Sequence, residues 1–272
     1  MASPTEISVN QLARLIGTPD CPRIIDVRLD DDFAADPRTI PGAIRHPHTG
    51  IAELAPQLRD KKVIVSCAKG LKLSQGSVAI LRDMGIVAES LEGGHVAWEK
   101  AKQALVPTTK IPPRNGDGRT VWVTRQRPKI DRIACPWLIR RFIDPNAQFL
   151  FVAPSQVENV AQHFDATPFD IEGAFWSHRG NHCSFDTMLA EFGLQNPALD
   201  RLATIVRGAD TNQHDLAPES AGLLAASLGL SRMYRDDLEQ LDAGMALYDA
   251  FYRWSRDATD EGHDWPATAV KP

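Results

Sequence analysis

Residues 62–74 read "KVIVSCAKGLKLS": an apolar run, a cysteine, and a glycine-containing turn with two lysines that passes into a helical pattern. A continuous apolar run suits a strand buried on both faces, the habit of parallel sheets whose strands alternate with covering helices. Outward from it the alternation continues. Upstream lies a second such run, "RIIDV" (23–27), preceded by a helix that Ser8 and Gln11 open as a capping box, that Val9, Leu12 and Ile16 line, and that Gly17 ends. Downstream come helical "LSQGSVAILRDMG" (73–85), strand "IVAESL" (86–91) and helical "VAWEKAKQAL" (96–105). The fold class expected here is α/β, a parallel sheet covered by helices.

The chain has 272 residues, 43% hydrophobic and 24% charged, enough for two cores. Residues 106–118, "VPTTKIPPRNGDG", hold three prolines and two glycines with little apolar content. That composition predicts a linker over 107–118 between domains at 1–106 and 119–272. No apolar stretch approaches the roughly 20 residues that cross a bilayer, and the N-terminus lacks the marks of a signal peptide, so a cytoplasmic protein with no membrane partner is expected. Cys21, Cys67, Cys135 and Cys183 are far apart and form no CxxC pair, which fits a reduced compartment. A net charge of -5 argues against wide contact with nucleic acid and favours a small substrate.

The second half predicts strands at "TVWVT" (120–124) and "QFLFVA" (148–153), with a helix starting near Cys135 so that Pro136 falls in its first turn. Ser155 and Glu158 predict the cap of a short helix, and from about residue 184 the pattern is helical. Leu199, Leu202, Ile205 and Val206 form one apolar stripe; Leu238, Leu241, Met245, Tyr248 and Phe251 form another. Both read as core packing, and the second domain as mostly α-helical α+β.

Cys67 ends a strand where a loop turns into a helix, so backbone N–H groups and the helix dipole face it. Lys69 and Lys72 add positive charge and Gly70 permits a tight curve, which suits a thiolate facing an anion. An inert buried thiol is the other reading, since free cysteine is among the most buried residue types. The segments "IIDVR" (24–28), "IPGAI" (40–44), "CAKGLK" (67–72) and "LEGGHVAW" (91–98) together resemble the rhodanese family. The resemblance implies that Cys67 carries sulfane sulfur as a persulfide, taken from a small anionic donor such as thiosulfate and passed to a thiol acceptor. It implies that the N–H groups of Ala68, Lys69, Gly70, Leu71, Lys72, Leu73 and Ser74 cradle the donor. Lys72 stands where an arginine is usual, and Thr39 where a histidine often precedes "IPGA". Phosphatases and arsenate reductases of related fold need an arginine six residues after the cysteine; that position is Leu73. Asp26 and Arg28 read as a structural ion pair supporting the loop.

Beyond the linker, "DRIACPWLIRRFID" (131–144), "SHRGNHCSFD" (177–186), "IVRGADT" (205–211) and "PESAGLLAASLGL" (218–230) resemble the chromate-resistance protein family. That resemblance implies a link to chromate tolerance and no particular mechanism. Arg125, Arg127, Lys129, Arg132, Arg140 and Arg141 gather positive charge opposed locally by Asp131 alone, which suits an oxyanion or a solvated basic face. His178, His182, Cys183 and Asp186, with Asp210, His214 and Glu219, offer donors for a divalent transition metal. His178, Asp186, Asp210 and Glu219 are the candidate ligands, while Cys135 reads as core. The function expected is a rhodanese-type sulfurtransferase fused to a chromate-resistance domain. The alternatives are a chromate sensor or regulator with an inactive rhodanese domain, and a metal-dependent oxidoreductase.

Overall fold

The computed structural model describes residues 5–262, so the outer ends of the two expected domains, 1–4 and 263–272, lie outside the described residues. The first half runs β1 (Glu6–Ile7), α1 (Val9–Leu15), β2 (Arg23–Asp26), α2 (Asp30–Ala35), β3 (Arg38–Thr39), β4 (Ala43–Arg45), α3 (Ala55–Leu58), β5 (Val63–Ser66), α4 (Lys72–Asp83), β6 (Ala88–Leu91), α5 (Gly94–Lys100) and β7 (Val106–Pro107). Five strands form a sheet of order β1-β6-β5-β2-β4, parallel at every pairing. The capping box forms as the sequence predicts: Gln11 N donates to the Ser8 hydroxyl at 3.3 Å and Ser8 N to Gln11 Oε1 at 3.0 Å.

Alternation along the strands divides this sheet between two cores. Ile25, Val63 and Val65 pack with Ile51, Val78 and Leu81 on one face, beside Cys67. Ile24, Ile64 and Leu91 point to the other face, which α1 and α5 cover with Leu12, Ile16 and Trp98. That second core does not stop at residue 106: it continues through Trp122, Trp137, Phe142, Phe185 and Tyr252. At the seam a Cβ on Gly17 would stand 2.3 Å from Phe142 and 2.9 Å from Tyr252, and Gly17 has φ +81°, so contact and backbone both require glycine.

The proline-rich stretch between the halves is tied down along its length. β7 pairs antiparallel with β3, Lys110 reaches Glu191 at 2.6 Å, and Arg114 reaches Asp144 at 3.0 Å.

The second half follows as β8 (Val121–Arg125), α6 (Asp131–Leu138), β9 (Gln148–Val152), α7 (Val157–His163), β10 (Thr167–Pro168), α8 (Ser184–Phe192), α9 (Pro197–Asp210), α10 (Glu219–Met233) and α11 (Asp237–Asp257). Its sheet has order β10-β8-β9 and is parallel. Two local expectations are corrected. The helix expected near Cys135 begins at Asp131, so Pro136 lies inside it, and the chain continues into a π-helical turn over Ile139–Ile143. Burial of every residue of α6 except Arg132 outweighs the roughly 3 kcal/mol a mid-helix proline costs. The cap expected at Ser155 is absent: α7 starts from a 3₁₀ turn, with Gln156 at its N-cap and no side-chain cap bond.

Candidate functional site

Cys67 follows the last residue of β5, and the chain turns through residues 67–71 into α4. The loop is held from behind by the start of α5. His95 N donates to Cys67 O at 2.9 Å and Val96 N to Ala68 O at 3.0 Å. This close approach explains the glycines: a Cβ on Gly94 would stand 2.2 Å from Cys67 O, and one on Gly70 would stand 2.5 Å from Leu91 O. Both residues have positive φ as well.

Cys67 is 4% exposed, and its Sγ lies 3.3 Å from the Ser74 hydroxyl, itself fully buried. Burial raises the thiol pKa. Hydrogen bonds from the Ser74 side chain and from the backbone at Ser74, Leu71 and Lys69 outweigh that, and the group lies below the ordinary thiol value of 9.0. The other cysteines go the opposite way: burial pushes Cys21 up to about 11 and holds Cys135 and Cys183 well above the ordinary range. Of the expected cradle, Lys69, Leu71 and Lys72 are exposed, Gly70 and Ser74 are buried, and Ala68 and Leu73 are half-buried.

Asp26 and Arg28 are both buried. The Arg28 guanidinium grips Asp26 with Nε and Nη2, and donates onward to Asp36 O at 2.9 Å and Arg38 O at 2.7 Å. Asp36 in turn takes Arg38 at 2.6 Å and His95 Nε2 at 2.9 Å, and the hydrogen bond from Arg38 holds its carboxyl well below the usual carboxylate range. A polar chain thus runs from β2 to His95, whose backbone holds the cysteine loop. Nothing in the sequence joined Asp36 to His95, because their pairing spans 59 residues of chain.

A second cluster lies in the other half. His178 Nε2 stands 3.5 Å from Asp131, 3.3 Å from Asp170 and 3.2 Å from Asp210. Asp131 opens α6, Asp170 follows β10, His178 sits in the loop before α8, and Asp210 ends α9. Ser184, at the start of α8, donates its N–H to Asp131 Oδ2 at 2.5 Å and its hydroxyl to Asp170 Oδ1 at 2.8 Å. Ile130 precedes Asp131 with φ 29°, a strained conformation for a β-branched residue; Tyr248 holds it by donating to its carbonyl at 2.9 Å. Burial pushes the Asp131 carboxyl up to about 7, while hydrogen bonding to Asp131, Asp170 and Asp210 holds His178 up at about 12.

The expected ligand set is therefore corrected. His178 and Asp210 come together, but Asp186 pairs with Arg207 at 2.8 Å and closes the capping box of α8, and Glu219 lies outside the group in the first turn of α10. Asp131 and Asp170 stand beside His178 instead. In the sequence Asp131 stood out only as the one acid among the basic residues of 125–141, and Asp170 had no signal. The basic cluster is also dispersed. Arg125 and Arg132 both reach Asp170, Arg127 bonds Asp237 and the end of α10, Arg140 reaches Asp242, and Arg141 reaches Asp249.

Comparison with known proteins accounts for both halves. Residues 8–101 match the rhodanese-like domain and residues 122–255 match the family described as ChrB, C-terminal domain. Protein ChrB of Cupriavidus metallidurans is 39% identical over 142 residues, 52% of this chain and 42% of that protein, so the match spans less than half of the relative's length. Among solved structures, a rhodanese-related protein from Thermoplasma volcanium is 27% identical, covering 37% of this chain and 96% of its own, with a TM-score of 0.33. A rhodanese-like domain protein from Staphylococcus aureus is 28% identical over 35% of this chain and 90% of its own, with a TM-score of 0.32. No helix among the described residues is long and apolar enough to cross a membrane.

Proposed function

We propose that this chain, a rhodanese-like domain joined to a ChrB C-terminal domain, is a sulfurtransferase that carries sulfane sulfur on Cys67 and supports chromate resistance. The observation that carries this reading is the thiol's surroundings: one hydroxyl and three backbone groups from the loop and the first turn of α4, which favour the thiolate over the thiol. In the first step the Cys67 thiolate attacks the outer sulfur of thiosulfate. The new S–S bond forms as the bond to the sulfonyl sulfur breaks, and sulfite leaves with its electron pair. A thiolate or cyanide acceptor then takes the outer sulfur and returns the Cys67 thiolate. Neither half-step needs an external oxidant or reductant. Backbone N–H groups aimed into the loop stabilise the charge that gathers on the departing sulfite.

Thiocyanate formation from thiosulfate and cyanide, followed for wild type, Cys67→Ala and Lys72→Ala, tests the proposal. Wild type is expected to turn over and to gain one sulfur atom on Cys67 by mass spectrometry, and Cys67→Ala to do neither. Lys72 is exposed and is one donor among several, so Lys72→Ala should retain activity, reduced by on the order of 10²-fold or less. Equal inactivity of wild type and Cys67→Ala across several donors and acceptors would remove sulfur transfer.

A second reading, oxyanion sensing, is favoured by a cleft of about 520 Å³ between the halves, lined by Arg23, Lys61, Lys62, Arg140 and Arg141. Arg23 Nη1 is buried there without a hydrogen-bond partner among the described residues, and burial lowers the pKa of both Arg23 and Lys61. Titrating Cys67→Ala protein with chromate and sulfate separates this from thiol chemistry: saturable binding weakened by Arg23→Met supports sensing, and absence of binding removes it.

A further inference from the structure

We infer that Asp131, Asp170 and His178, with Asp210 beside His178, form a binding site for one divalent first-row transition metal ion, of the oxygen-preferring kind that Mn²⁺ and Fe²⁺ represent. One imidazole nitrogen lies 3.2 to 3.5 Å from three different carboxylates. A single Nε2–H can be aimed at one of them, and all three distances exceed the roughly 2.7–2.9 Å of a good charge-assisted hydrogen bond. Asp131, Asp170 and His178 place ligand atoms within 4.8 Å of one another, with Asp210 beside His178.

The second observation is independent of that proximity. Asp131 is 0% exposed, and its Oδ1 is buried without a hydrogen-bond partner among the described residues. A buried carboxylate is stable when paired or when it coordinates a cation, and an orphaned oxygen on one is costly. The remaining contacts orient the carboxylates as outer partners orient metal ligands. Ser184 fixes Asp131 Oδ2 and Asp170 Oδ1 from one side, while Arg125 and Arg132 hold Asp170 Oδ2 at 3.2 and 3.3 Å, leaving Oδ1 turned to the cluster. The His178 side chain is 42% exposed, so the site has an opening through which an ion can enter.

The donor chemistry sets the class of ion. Asp131, Asp170 and His178 each place one ligand atom within 4.8 Å of the others, and Asp210 adds a third carboxylate through His178. One imidazole with carboxylates and no sulfur suits manganese or iron better than a thiophilic ion. This inference stands apart from the sulfurtransferase proposal, because none of its residues touches the Cys67 loop.

Full-length protein stripped with a chelator and titrated with MnCl₂ alone, read by electron paramagnetic resonance of free Mn²⁺ and by calorimetry, tests the site. One Mn²⁺ per chain is expected in wild type and in Glu219→Gln. Asp131→Asn and His178→Gln should each weaken binding by at least about 10-fold, the lower end for groups that only orient ligands. Asp131 is deeply buried; should its variant fail to fold, His178→Gln, on an exposed loop, decides. No stoichiometric uptake by wild type, undiminished affinity in His178→Gln, or loss of binding in Glu219→Gln overturns the assignment.

Discussion

The cysteine loop and the carboxylate–histidine cluster are built in opposite ways. Around Cys67 the functional groups come from one stretch, residues 67–74, and most are backbone amides supplied by the strand–loop–helix geometry. Around His178 they are side chains brought from four segments by the packing of α6, α8 and α9. A site made of backbone tolerates changes of side chain and fails when the chain cannot bend. One made of side chains should tolerate backbone adjustment and fail when a single ligand is lost.

That contrast can be broken most sharply at the nucleophile. Cys67→Ala is expected to abolish persulfide formation while far-UV and near-UV circular dichroism remain those of wild type. A substantial residual transfer would mean that the loop's amides are not serving this thiol. The next effect in size is the reactivity gap among cysteines. Iodoacetamide at neutral pH should modify Cys67 faster than Cys135 or Cys183, since a lowered pKa gives a larger thiolate fraction than the raised ones do. The pH midpoint of Cys67 labelling should fall below 9.0, because the thiolate persists down to the lowered folded-state pKa. A midpoint at or above 9.0 would show burial winning over the hydrogen bonds.

Smaller effects probe the backbone side of the comparison. Gly94→Ala should destabilise the protein by at least about 2 kcal/mol, combining a left-handed backbone with a Cβ placed 2.2 Å from the Cys67 carbonyl. Gly76, exposed inside α4 with open space where a Cβ would go, should behave oppositely: Gly76→Ala is expected to stabilise by about 0.5–1 kcal/mol. Urea unfolding of both variants checks the pair, and similar shifts of the same sign would show that the close packing of α5 on the loop does not constrain it.

The sequence by itself determined the features whose causes lie within a few residues. The runs at 23–27 and 62–66 suited doubly buried strands, Ser8 with Gln11 could cap a helix locally, and the position of Cys67 between a strand and a helix placed it against backbone amides. Tertiary structure alone decided which charges meet. Asp131 lies 79 residues from Asp210, yet its backbone N–H reaches the Asp210 carboxylate, and Asp186, close to His178 in sequence, is taken by Arg207 instead. It also decided that α6 runs through Pro136 and that the halves share one interior, because burying Trp137, Phe142 and Tyr252 together outweighs local preference. Helix and strand propensities act over a few bonds, whereas the pairing of a buried carboxylate depends on what the whole fold leaves beside it.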